Sequence, residues 1–100
     1  MRYELFQFRR DDTVMRDLAF RAYDPDRPVE LKHYHRTYAG TVEGEGDLTA
    51  LEALYKLFNL HHPADFYSYS MSMADVVMLD GERLYYCDAF GFKRLEKGWQ

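Results

Sequence analysis

Apolar residues recur along the chain with two different periods. Leu48, Leu51, Leu54, Tyr55 and Phe58 are spaced by three- and four-residue steps, the period of a helix with one apolar stripe. This predicts a helix over residues 47–58. Thr49 and Glu52 have the spacing of a capping box, with Asp47 as a rival cap. Asn59 can close the helix in the left-handed conformation, and Pro63 forbids its continuation.

Strand signals flank this helix. Residues 3–9 carry Tyr3, Leu5, Phe6 and Phe8 without clean alternation, as in a strand covered on both faces. Residues 31–42 alternate: Tyr34, Tyr38 and Val42 share one parity with Arg36 between them, while His33, His35, Thr37 and Thr41 take the other. One face of that strand is then aromatic, and Gly40 marks a bulge or a close approach. Residues 76–79 form a short apolar strand. Asp80-Gly81 is a tight-turn signal, since both residue types tolerate positive φ, and residues 84–87 return. Gly91 breaks that run, and 92–95 extends it. Near the N-terminus, Asp12-Thr13 offers an N-cap for one or two helical turns over 14–18, and Pro25 and Pro28 set a turn.

Strands before and after one helix give an α+β fold. The expected domain occupies residues 1–100, with one main amphipathic helix on a largely antiparallel sheet of about four strands and a wet opposite face. Aromatic residues make up 17% of the 100 residues, enough for a compact core without staples.

Charge narrows the function classes. The formal net charge is −4 and the signs are interspersed, which disfavours an electrostatic grip on phosphates. One cysteine, Cys87, cannot form an internal disulfide, and a reducing cytoplasm fits it. No apolar run approaches the roughly 18 residues of a membrane span, and the N-terminal residues lack the apolar core of a secretory leader.

Candidate chemistry is sparse. His61-His62 with Asp65, and His33-x-His35, are the clusters that suggest a metal. Adjacent histidines point apart on a regular backbone, and neither set has a known zinc spacing, so no metal is expected. Cys87 sits in an apolar strand context without a histidine base nearby in sequence and reads as a buried thiol. Ser70 and Ser72 lack a nucleophile elbow, and no phosphate-binding glycine motif is present. The expectation is a protein without cofactor that is not an enzyme; an enzyme with an unrecognised site is a remaining alternative.

Residues 58–92 carry a family pattern. Phe58-Asn59, His62-Pro63, Asp65-Phe66, Ser70, Ser72, Asp75-Val76-Val77, Tyr86, Asp88 and Phe90-Gly91-Phe92 fall in register with it. In these positions the chain resembles the YodL-like domain, a small module of Gram-positive bacteria, conjugative elements and phages. The N-terminal half fits more loosely, through a strand, a short helix with Phe20-Arg21-Ala22-Tyr23, and a second strand. Tyr69 stands where a small residue is commoner, and Ala89 where Ser is commoner. The resemblance implies an accessory module of a mobile element or its host, in contact with proteins or nucleic acid; it transfers no catalytic residue.

The leading functional expectation is therefore a non-catalytic interaction module acting by protein–protein contact. Tyr67, Tyr69, Met71 and Met73, at two-residue steps in a polar stretch, supply candidate anchors if that stretch is exposed, and core residues if it is not. The alternative is single-stranded nucleic acid stacked on a Tyr34/Tyr38 face with Arg36 nearby. The motif residues Asn59, His62, Pro63, Asp65, Ser72, Asp75, Asp88 and Gly91 read as holders of backbone. Ser72 and Asp75 have reciprocal-cap spacing, and Asp88 is placed to bond the amides of the turn that follows it.

Overall fold

The computed structural model describes residues 1–9, 11–13 and 21–100; the helical turns expected over 14–18 lie outside the described residues. β1 (Arg2–Phe8) runs through the interior of an antiparallel sheet and pairs on one side with β2 (Tyr34–Thr41) and on the other with β3 (Val76–Leu79). β4 (Arg83–Asp88) and β5 (Gly91–Arg94) complete it in the order β2-β1-β3-β4-β5. A short 3-10 turn, Leu31–His33, leads into β2. The helix α1 (Asp47–Leu60) packs on one face. Among the described residues this is an α+β fold with a five-stranded sheet, one strand more than the sequence suggests.

The extra strand comes from a reversal. After β4 the chain turns back at Ala89-Phe90, so that Asp88 pairs with Gly91. Gly91 sits at φ 93, a left-handed conformation that its missing Cβ makes accessible. What read as one interrupted run is two antiparallel strands. The preceding turn follows its sequence signal: Asp80 and Gly81 take φ 51 and 72, and the Glu82 N–H donates to Leu79 O at 3.2 Å.

Both sheet faces are covered, against the expectation of a wet one. Under α1 lie Tyr3, Leu5, Val77, Leu79 and Cys87, packed with Leu51, Leu54, Phe58, Phe66 and Met71. On the opposite face Phe6, Phe8, Tyr34, Val76, Leu84 and Tyr86 are covered by Tyr23, Val29, Tyr69, Leu95 and Trp99. Trp99 lies 5.3 Å from the Phe6 ring and 5.4 Å from the Tyr34 ring. The poor alternation of β1 reflects this: Leu5 through Phe8 are all buried.

Three local expectations for the helix fail. Its N-cap is Gly46, with no side-chain cap, and Thr49 lies inside it. The Asp47 carboxylate instead accepts from Arg83 Nε at 2.7 Å, Arg83 Nη2 at 3.0 Å and the Tyr85 hydroxyl at 2.5 Å. The guanidinium fork presented by the sheet brings a full opposite charge and two parallel N–H donors to this carboxylate, which a single local amide does not. The buried stripe is Ala50, Leu51, Leu54 and Phe58. It is rotated away from Leu48 and Tyr55, which stay exposed. Asn59 remains helical, its Nδ2 donating to Tyr55 O at 2.8 Å, and the helix closes at His61.

Candidate functional site

The tyrosine–methionine stretch does not form one surface. Tyr67 is 92% exposed, but Met71 is buried in the helix-side core, and Tyr69 and Met73 are half-buried. Tyr69 packs on Phe8 at 5.7 Å, and its carbonyl accepts from Gln7 Nε2 at 3.0 Å. That bond ties the stretch to the central strand, and two of the four expected anchors, Tyr69 and Met71, serve packing.

The expected aromatic face of β2 is split by a bulge. Leu5 pairs with Tyr38 and Phe6 with Arg36, leaving Thr37 as the extra residue. An extra residue reverses side-chain parity beyond it. Tyr38 therefore lies on the helix side, 5.6 Å from Phe58 and 5.9 Å from Phe66. Tyr34 lies on the other face, 4% exposed, its hydroxyl donating to Ala74 O at 2.6 Å. Burial drives the Tyr34 phenol far above the ordinary tyrosine range. Arg36 is exposed and bonds Glu4 Oε1 at 3.0 Å. No shared stacking platform joins Tyr34 to Tyr38; the bulge falls at Thr37, while Gly40 lies against the Tyr3 ring.

The motif polar residues engage backbone and one another. Asp75, 0% exposed, accepts at Oδ2 from Gln7 Nε2 at 3.0 Å and from the Ser72 N–H at 2.9 Å, and at Oδ1 from the Tyr69 hydroxyl at 3.4 Å. The reciprocal half of the expected cap is missing: Ser72 Oγ is buried without a hydrogen-bond partner. Asp88 accepts at Oδ1 from the Ala89 N–H at 2.8 Å and the Tyr23 N–H at 2.9 Å, joining the β4–β5 turn to a distant segment. Asp65 accepts from the Tyr38 hydroxyl at 2.8 Å, a bond that raises the Tyr38 pKa. His62 Nδ1 lies 3.1 Å from Pro63 O, and the Phe66 N–H closes a turn on the same carbonyl at 3.0 Å.

Neither histidine cluster converges. His33 is clasped by Asp12 at Nδ1 and lies 3.4 Å from Glu30 at Nε2, while His35 points to solvent. Among the described residues no group of three His, Cys, Asp or Glu could hold a metal ion. Burial, followed by the fields of Asp75 and Asp88, pushes the Cys87 thiol up to about 12, which leaves it protonated and unreactive near neutrality.

One feature escaped sequence reasoning. Between α1 and the β4–β5 hairpin lies an open groove of about 320 Å³, with Leu48, Tyr55 and Phe92 as its apolar walls, Glu52 and Lys56 on the helix rim and Asp88 at one end. Phe90, 99% exposed, stands at the tip of the turn between Ala89 and Gly91, both of which line the groove. The available signal was the width of the helical stripe. It spans more of the helix than a sheet can cover, so Leu48 and Tyr55 were candidates for a second, open surface.

A family model described as the YodL-like domain matches residues 2–97. No curated protein and no solved structure matches the chain.

Proposed function

Because the chain belongs to the YodL-like domain family, we propose that it is a non-catalytic accessory module of a mobile genetic element or its bacterial host, working in the cytoplasm by protein–protein contact. The observation that carries this reading is the open apolar groove with Phe90 at its lip. A fully exposed ring beside a pocket with Leu and Tyr walls is the kind of surface that marks a protein contact, because desolvating such anchors supplies most of the energy of a small interface. Its carboxylates and thiol argue against a catalytic centre: Asp75 is sealed inside the fold and the Cys87 thiol is held protonated. The net charge of −4 and the split of Tyr34 from Tyr38 argue against a nucleic-acid platform.

The test is capture from host extract with the wild-type domain and with Phe90→Ser as baits, matched for melting temperature. A protein partner retained by the first and lost by the second supports the reading. Retention of nucleic acid alone, seen as a raised 260/280 absorbance ratio after low-salt purification, overturns it.

A further inference from the structure

The groove is flanked by the open edge of β5, and the pairing of that strand fixes what its backbone offers. The Leu95 N–H donates to Leu84 O at 2.9 Å, and Gly91 pairs with Asp88 across the turn. In an antiparallel ladder the N–H and C=O of one residue point to the same side, and successive residues alternate. Gly91, Lys93 and Leu95 therefore face β4. Phe92 and Arg94 direct their N–H and C=O groups outward, where, among the described residues, no strand follows β5.

Side-chain direction then selects what fits. Phe92 pairs with Cys87, and Arg94 with Tyr85, on the helix side of the sheet. A residue of an incoming strand that pairs with Phe92 stands on that same side, over the apolar walls formed by Leu48, Tyr55 and Phe92. The residue two positions away meets Arg94, whose guanidinium carbon lies 6.0 Å from the Tyr85 ring centre. Asp47 feels the Arg94 charge but is already bonded to Arg83 and Tyr85. Among the described residues neither Arg94 nor Lys93 forms an ion pair, and both are exposed. Two adjacent cations on an edge strand, one on each face, repel a like strand and attract an acidic one. A second copy of this chain, paired so that Phe92 and Arg94 both bond, would set Lys93 against Lys93.

We propose that β5 takes an extended, acidic segment of a partner protein as a sixth strand, with an apolar side chain in the groove and a carboxylate, two positions away, on Arg94. This rests on the protein-contact reading and names its geometry: main-chain bonds supply affinity, and the pocket and Arg94 supply selectivity.

The probe is a displayed library of random nonapeptides, panned on the immobilised domain, followed by binding of one selected synthetic peptide measured by calorimetry and amide NMR. The proposal expects selected sequences with a carboxylate two positions from an apolar residue, and the largest amide shifts at Phe92 and Arg94. Arg94→Glu should weaken the peptide by about tenfold or more, because a like charge replaces the attraction. Arg94→Pro removes one outward N–H without touching the ladder to β4 and should abolish binding, while Lys97→Glu, which lies outside the groove, leaves it unchanged. Failure to select any peptide, unchanged affinity in Arg94→Glu, shifts centred on Tyr67, or concentration-dependent dimers paired through β5 each overturn it. A partner lost from Phe90→Ser but held undiminished by Arg94→Pro overturns strand addition and leaves protein contact standing.

Discussion

Gln7 and Asp75, 68 positions apart, are joined by a buried hydrogen bond of 3.0 Å between Gln7 Nε2 and Asp75 Oδ2. The same oxygen holds the Ser72 N–H, and Gln7 Nε2 also holds Tyr69 O. One amide–carboxylate pair thus links the central strand to the stretch that enters β3. Asp75→Ala strands these donors in the interior and should lower stability by about 1–3 kcal/mol. Asp88→Ala, at a half-buried site with two amide donors, should cost about 1 kcal/mol. Urea melts read both, and an unchanged midpoint in Asp75→Ala would remove its structural role.

The helix face makes a paired prediction. Leu54 is fully buried in the core under α1, while Leu48 is 61% exposed on the groove. Leu54→Ala should cost about 2–5 kcal/mol through lost burial and a residual cavity. Leu48→Ala should stay within about 0.5 kcal/mol, as a surface change does. Equal costs would mean that the orientation of α1 is wrong.

Acid should weaken the link between α1 and the sheet. The hydrogen bond from Arg83 holds the Asp47 carboxyl below its ordinary value of 3.8; burial opposes this, and the Tyr85 hydroxyl adds to it. Asp80 is held down likewise, first by the Arg2 N–H and then by Arg83. A carboxylate depressed in the folded state contributes stability that is complete above its unfolded pKa and is lost as pH falls through the folded one. The melting temperature contributed by this pair should be flat from about pH 7 to 5 and fall below about pH 4. Asp47→Asn should show a shallower fall over that window in a pH series of thermal melts.

The second hairpin depends on Gly91. Nothing lies within 4 Å of a Cβ built there, so the cost of a side chain is one of conformation at φ 93. Gly91→Ala should lower stability by about 1–2 kcal/mol. Gly46→Ala, at an N-cap with extended backbone and open space, should cost less, about 0.5 kcal/mol, because Gly is preferred to Ala at an N-cap. Denaturant midpoints of the two variants separate the effects; equal losses would show that left-handed geometry is not what β5 requires.

Local chemistry made several elements legible before any tertiary contact was known. Asp80-Gly81 sets its own turn because both residues accept positive φ. Residues 48–58 declare a helix because their apolar period is 3.6, and Pro63 bounds it. The family pattern from Phe58 to Phe92 is read from side-chain identity at fixed spacing. Leu5 through Phe8 announced a doubly covered strand by failing to alternate.

What the tertiary structure alone decided are choices between competing partners. Tyr34 and Tyr38 share a parity in sequence, yet Thr37 bulges out of register with β1 and sends them to opposite faces. Asp47 opens the helix and reads in sequence as a cap, but the fold brings Arg83 and Tyr85 to it from 36 and 38 positions away. Tyr69 is held by Gln7 of β1 at its carbonyl and packs on Phe8, and Met71 enters the core under α1. Leu48 and Tyr55 belong to the apolar stripe by period, but a flat sheet covers a narrower arc of a helix than this stripe spans, and so they open onto the groove beside β5. Period and propensity are local and are written in the sequence; register, and which of two possible partners a polar group meets, depend on residues dozens of positions distant and are settled when the strands pair.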